Sequence, residues 1–244
     1  VEGQLPERCY TIWFSQRTGS TLLCEALRST GIAGRISEQL NERDPQATTL
    51  EDLRDMVREG TTPNGVFGLK YGPDQRFGPW MQTFRRELAL SPEVPRPDVW
   101  EAVFPSSRHL YMTRRNKVRL AVSWWRAIVS GEWHRERGQA PQAGDLQGRY
   151  SFDAINHLFA ECSLREAATE EFFAEGGVLP LTLVYEDFIR DYEGTVRAVL
   201  AYLDLPTDVS IAPPAFERLA DGLTEEWVQR FREERQAGWS NRVW

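Results

Sequence analysis

Residues Cys9 to Thr30, CYTIWFSQRTGSTLLCEALRST, decide how this chain folds. Cys9 to Phe14 is a short continuous apolar run rich in β-formers, which predicts a buried strand. Gln16, Arg17, Thr18, Gly19, Ser20 and Thr21 follow. Leu22, Leu23, Ala26 and Leu27 then recur at helical spacing. A strand, a small-residue loop and a helix in this order turn several backbone N–H groups and a helix N-terminus toward one spot, and that spot favours an anion. Gly19 lets the backbone approach a ligand closely. Ser20 and Thr21 add hydroxyl donors, and Arg17 adds a planar cationic fork. The nucleotide P-loop, GxxxxGK followed by Ser or Thr, is not met: the first Gly is absent and no Lys precedes the Ser-Thr pair. A Gly-Ser turn that merely caps a core helix would carry the same letters.

The rest of the chain suits an α/β fold. Its 244 residues, 41% of them hydrophobic, suffice for one large domain with a sizeable core. Gly65 to Lys70, Arg108 to Thr113 and Val178 to Val184 read as further strands. Thr49 and Asp52 form a capping-box pattern that opens a helix to about Val57. Asn116 to Val129, Ser151 to Phe173, Tyr192 to Leu203 and Thr224 to Arg235 read as helices. Residues 73–105 carry six prolines and read as loops around a helix near Met81 to Leu88, and 138–149 read as a mobile Gly/Gln/Ala-rich loop. Strands alternating with helices predict a parallel sheet covered on both faces.

Charge narrows the ligand. The net charge of −7 argues against nucleic acid as a partner. Yet Arg108 to Gly131 holds six cations and no acid: Arg108, Arg114, Arg115, Lys117, Arg119 and Arg126. Removing those six leaves the remainder at −13, so the positive charge is a local patch suited to a compact anion. Of 29 basic residues only Lys70 and Lys117 are lysine. No apolar run is long enough to span a membrane, VEGQLPERC does not read as a signal peptide, and Cys9, Cys24 and Cys162 are too few and scattered for a disulfide framework or a zinc site. A reducing cytoplasm fits this pattern.

Both cationic motifs resemble those of the sulfotransferase superfamily. QRTGSTLL is similar to its phosphosulfate loop, [KR]-[ST]-G-[ST]-T. RNKVRLAVSWW, with Arg115 and Ser123 eight residues apart after the third strand, is similar to its R-x7-S site for a 3′-phosphate. The resemblance implies the donor 3′-phosphoadenosine-5′-phosphosulfate (PAPS), with 3′-phosphoadenosine-5′-phosphate (PAP) as product. Thr18, Gly19, Ser20, Thr21 and Arg17 would bind the 5′ end, and Ser123 with Arg115 the 3′-phosphate; Arg114 competes for the last role. The histidine that many members use as base, in a K-x-H arrangement after the second strand, is missing: Lys70, Tyr71 and Gly72 stand there.

From about residue 9 to 235 the chain resembles the bacterial Stf0-type sulfotransferases, whose best-known member sulfates trehalose. The family pattern L-x-x-TG-x-AG-x-x-x-E places its proposed general base at Glu38. TPNGVFGLK (62–70), TRRNKVRLAVSWWRA (113–127) and FERLADGLTEEWVQRFR (216–232) carry further likeness. The resemblance implies a P-loop-like fold in one domain over residues 1–244, with acceptor-binding insertions near 73–105 and 132–150. It implies transfer to a hydroxyl of a carbohydrate, glycolipid or related small molecule, Glu38 as base, Arg17 and Lys70 as catalytic cations, Arg218 closing over the nucleotide, no metal, and a homodimer. Tyr71, Trp80, Trp100 and Trp133 are candidates to stack on a sugar, and Trp124 or Trp227 on adenine. Two other readings stay open: a small-molecule kinase of P-loop type, and a non-catalytic nucleotide-binding module.

Overall fold

The computed structural model describes residues 6–141, 144, 146–217 and 219–244. Its centre is a four-stranded parallel sheet. β1 (Arg8–Phe14) is flanked by β2 (Val66–Tyr71) and β3 (Ser107–Thr113), and β4 (Leu181–Val184) pairs with β3 to give the order β2-β1-β3-β4. The register sets Trp13 beside Tyr71 on one side and beside Tyr111 on the other. The chain therefore winds one way from β1 to β2 and the other way from β1 to β3. In an open α/β sheet that reversal leaves a crevice outside the carboxyl ends of the two strands. The motif at 15–21 follows β1 and the motif at 114–123 follows β3, so both open into it.

The apolar run of β1 is buried on both faces because its residues alternate between two cores. Cys9 and Trp13 join Leu69, Tyr71, Phe77, Trp80, Trp100 and Phe172 on one face. Tyr10, Ile12 and Phe14 join Leu23, Leu27, Leu110, Met112, Val199 and Leu200 on the other. α1 (Ser20–Ser29) and α9 (Tyr192–Tyr202) cover the second face. The first is covered by α3 (Leu50–Gly60), α4 (Phe77–Glu87), α5 (Arg96–Val103) and the end of α7 (Phe152–Glu175). α6 (Lys117–Ser130), α7 and α10 (Gly222–Arg235) share a third core around Leu120, Trp227 and Phe231. Two short helices complete the set, α2 (Gln39–Glu42) and α8 (Tyr185–Phe188).

The caps follow the sequence closely. Thr49 Oγ1 accepts from Asp52 N at 3.2 Å while Asp52 Oδ2 accepts from Thr49 N at 2.8 Å, the reciprocal box read from the pattern. Asn116 and Ser151 cap α6 and α7 through their side chains. The proline-rich stretch departs from expectation. Its helix starts at Phe77, and a further helix, α5, runs from Arg96 to Val103 with Pro97 in its first turn, where a missing N–H costs nothing. Residues 178–180 are not in β4, since Pro180 has no N–H for a ladder. Of the expected loop at 138–149, residues 142, 143 and 145 lie outside the described residues; the others form no helix or strand.

Several aromatic expectations change with the packing. Trp80, Trp100 and Tyr71 are fully buried, and the Trp13 ring lies 4.7 Å from Trp100 and 5.7 Å from Tyr71. They build the core and cannot stack on a sugar. Trp124 and Trp227 likewise belong to the third core. His109 is a core residue too: its Nδ1 accepts from Trp13 Nε1 at 2.9 Å, and burial pushes its pKa down to about 4.

Candidate active site

The loop between β1 and α1 is an anion cradle in backbone terms. Arg17 and Gly19 both adopt positive φ, 65° and 83°. Gly19 caps α1 with no side-chain hydrogen bond, which leaves the first N–H groups of the helix directed outward. Thr18 is buried and closes the turn by donating from Oγ1 to the Ser15 carbonyl at 2.7 Å. A Cβ on Gly19 would sit 2.9 Å from Tyr185 Cδ2, so the bare backbone is what fits beside that ring.

Arg17 joins the two sequence motifs. Its Nε donates to Ser123 Oγ on α6 at 3.0 Å, and its Nη1 to the Trp133 carbonyl at 2.5 Å. Both acceptors are neutral, and among the described residues no carboxylate pairs with it. Burial, with Arg114 nearby, pushes its pKa down from 12.5 to about 10. A cation held this way, at a helix N-terminus, lacks its counter-charge.

Lys70 reaches from β2 to the first turn of α1. It is 5% exposed; its Nζ donates to Thr21 Oγ1 at 2.9 Å and to Glu38 Oε1, and lies 4.4 Å from the Phe14 ring centroid. Glu38 reaches it because the preceding segment adds to the sheet edge: Ser37 bridges Leu69, and Lys70 N donates to the Ser37 carbonyl at 2.9 Å. That approach needs two glycines. A Cβ on Gly34 would stand 2.7 Å from Gly68 N, and one on Gly68 would stand 2.6 Å from the Tyr10 ring. Glu38 itself stays 39% exposed, and neither it nor Lys70 is on the wall of the large cavity beside the loop.

A cavity of about 1260 Å³ extends from the loop. Its walls include Arg17, Gly19, Ser20, Thr21, Arg114 and Ser123, so most of the expected binding residues share one space. Arg115 does not line it: that side chain is 58% exposed and forms a two-pronged ion pair with Asp187. Arg114 is 12% exposed, packs over the Tyr185 ring at 4.6 Å and approaches Glu186 at 3.6 Å. Arg218 lies outside the described residues. The other members of the cationic patch divide. Arg119 and Arg126 line the cavity while paired with Glu225 and Asp221; Lys117 turns to Glu166; Arg108 pairs with Asp204 at the opposite end of the sheet.

The far wall joins the 132–150 insertion to the start of the 216–232 stretch. There Glu136 bridges Phe216, Arg137 N donates to the Ala215 carbonyl at 3.2 Å, and the His134 ring stacks on Phe216 at 5.0 Å. These pairings join segments about 80 residues apart, and no local pattern announces them. Tyr185 was findable: like both anion motifs, it follows the carboxyl end of a strand. Trp133 stands on the cavity wall, 41% exposed. Among the described residues no helix is long and apolar enough to cross a membrane.

Known proteins share this architecture. Residues 9–234 match the family described as Stf0 sulphotransferase. Trehalose 2-sulfotransferases of Mycobacterium tuberculosis (strain Erdman) and Mycolicibacterium smegmatis are each 29% identical to this chain, over 93% of it and 95% of their own length. The crystal structure of a sulfotransferase from Alicyclobacillus acidocaldarius superposes with a TM-score of 0.50 at 16% identity, covering 93% of this chain and 89% of that one. At that identity the likeness speaks for the fold, a parallel sheet between helices of the P-loop-like sulfotransferase type.

Proposed function

The chain belongs to the Stf0 sulphotransferase family, and from that premise we propose that it moves a sulfuryl group from PAPS to a hydroxyl of a small carbohydrate or glycoside. The observation that carries the donor assignment is the Arg17–Ser123 contact: one uncompensated cation ties the phosphosulfate-type loop to the R-x7-S helix at the switch point of the sheet. PAPS carries anionic groups on both sides of its ribose and so calls for two anion sites in one crevice. The bare Gly19 backbone, the outward helix N-terminus and a cavity larger than the roughly 300–1,000 Å³ of ordinary ligand pockets suit such a molecule.

In this reading the donor supplies the activated sulfuryl group. The N–H groups of 18–21, with Arg17 and Lys70, stabilise the charge that gathers on the departing 5′-phosphate, the bridging S–O bond breaking as the acceptor oxygen bonds sulfur. Arg114 and Ser123 hold the 3′-phosphate from the cavity wall. Glu38 accepts the acceptor's proton, and Lys70, bonded to both Glu38 and Thr21, keeps that carboxylate beside the loop. Proximity of the base to the loop accounts for much of the expected rate gain. The two relatives named for trehalose support a disaccharide acceptor, bound on the 132–150 side with Trp133 as its apolar face; the 73–105 insertion serves that site from behind, its aromatic residues being core. We take the chain to act as one domain, with a second copy as its natural partner.

Calorimetric titration with PAP, with ATP-Mg²⁺ as control, tests the donor assignment. Micromolar or tighter binding to PAP alone is expected. No binding, or a preference for ATP-Mg²⁺, overturns it.

A further inference from the structure

We infer that Arg165 and Glu166, consecutive residues of α7, are positioning residues that set the distance between the two anion-binding arms of the crevice. Neither lines the cavity. Glu166 is 8% exposed and stands behind the switch point. Its Oε1 accepts from Ser15 Oγ at 3.4 Å, from Thr113 Oγ1 at 2.9 Å and from Lys117 Nζ at 2.6 Å. Ser15 is the first residue after β1 and Thr113 the last of β3. One carboxylate thus touches the roots of both loops, and Lys117, in the first turn of α6, joins the same oxygen. Lys117 Nζ also donates to Thr113 Oγ1 at 2.8 Å.

Arg165 repeats the pattern one residue earlier. Its Nη1 donates to Gln16 Oε1 at 3.1 Å, and its guanidinium lies 5.4 Å from the Trp124 ring on α6. So each of the two α7 residues holds one residue of the β1 loop and one element of the β3–α6 arm. A buried ion pair is a weak source of stability, because desolvation offsets most of its Coulomb energy. What such a pair does supply is a fixed geometry. Here that geometry runs from Ser15 and Gln16, beside Arg17, to Thr113, beside Arg114.

The inference rests on the proposed donor, whose two anionic groups must meet both arms at once. A ligand with two linked anions gains from the fixed spacing of its sites; a ligand with one anion does not. The experiment is therefore a pair of titrations, PAP against AMP, on the wild-type protein and on Glu166→Gln and Thr113→Val. Glu166→Gln keeps the volume and removes the charge; Thr113→Val removes the hydroxyl that links β3 to Glu166 and Lys117, leaves the Glu166–Lys117 pair in place, and serves should the first variant fold poorly. PAP affinity is expected to fall about tenfold in each variant while AMP affinity holds, because only the coupling between the two sites is lost. Steady-state kinetics should show the same split, a higher KM for the donor with kcat little changed, and Glu166→Asp should recover part of the loss. Equal losses for both ligands, or no loss for PAP in a folded variant, overturn the inference. Failure of the wild-type protein to bind PAP instead overturns the donor assignment, so the two failures are distinguishable.

Discussion

Replacing Arg17 by Met should leave the free protein about as stable as the wild type and make the ligand-bound protein less stable. The guanidinium is desolvated, faces Arg114 and meets only neutral acceptors. The fall of its pKa from 12.5 to about 10 corresponds to roughly 3 kcal/mol against the charged form in the free protein. Met keeps the apolar stem and removes that penalty. It also removes the hydrogen bonds that this charged donor makes to Ser123 Oγ and the Trp133 carbonyl, at about 1.5 kcal/mol each. The two effects nearly cancel, so the two free proteins should melt within roughly 2 °C of each other. With PAP at a hundred times its dissociation constant, the wild-type protein gains about 2.7 kcal/mol. If Arg17→Met binds about a hundredfold more weakly, it gains only some 0.4 kcal/mol at the same concentration. The two melting temperatures should then separate, with the wild type ahead by about 2 kcal/mol. Thermal melts of both proteins, with and without PAP, read this directly. A free Arg17→Met protein that melts several degrees below wild type would refute the reasoning, because Arg17 would then be a compensated structural residue. So would a gap between the two melts that is the same with and without ligand.

Four other outcomes are expected. Glu38→Gln should leave PAP affinity unchanged and lower kcat by about 10²–10⁴; near-normal turnover would remove Glu38 from the role of base. Arg114→Ala should weaken PAP by about 10–100-fold and Arg115→Ala much less, since its partner is Asp187 at the surface; the reverse order in calorimetry would move the 3′-phosphate contact to Arg115. Gly19→Ala should cost about 1–2 kcal/mol from its positive φ alone and abolish PAP binding through the contact with Tyr185; a normal melt and normal affinity would contradict the bare-backbone cradle. His109 has a folded-state pKa near 4, below its unfolded value of 6.5, so the folded state binds fewer protons and the stability it contributes is lost as pH falls from about 6.5 toward 4. The loss should reach about 2 kcal/mol at pH 5, and His109→Asn, which keeps an acceptor for Trp13 Nε1, should show a flatter stability profile between pH 7 and 5.

The parts of this protein that were legible in its sequence are those that local physics decides. The apolar run of Cys9–Phe14, the loop residues 16–21, the Thr49–Asp52 box and the cap at Ser151 act within a few residues of themselves, and each appears in place. The alternation of strand and helix sufficed for the parallel sheet, because a parallel crossover needs a covering helix. Lys70 and Glu38 were named by resemblance. Their direct contact depends on Gly34 and Gly68, whose missing side chains let two distant segments touch. Only the tertiary structure decided where the side chains point. Arg114 and Arg115 are adjacent in the sequence, yet one faces the cavity and the other Asp187, because successive residues leaving a strand diverge in direction. Tryptophans that stand among prolines and loop residues, Trp80 and Trp100, became core because two helices form there and carry Trp100 against Trp13 and Trp80 against Phe84. The far wall at 132–137 and 214–217, and the α7 residues behind the switch point, are products of long-range pairing. A local pattern holds no record of which distant segment will pack beside it, and that packing is what turns two anion motifs into one crevice.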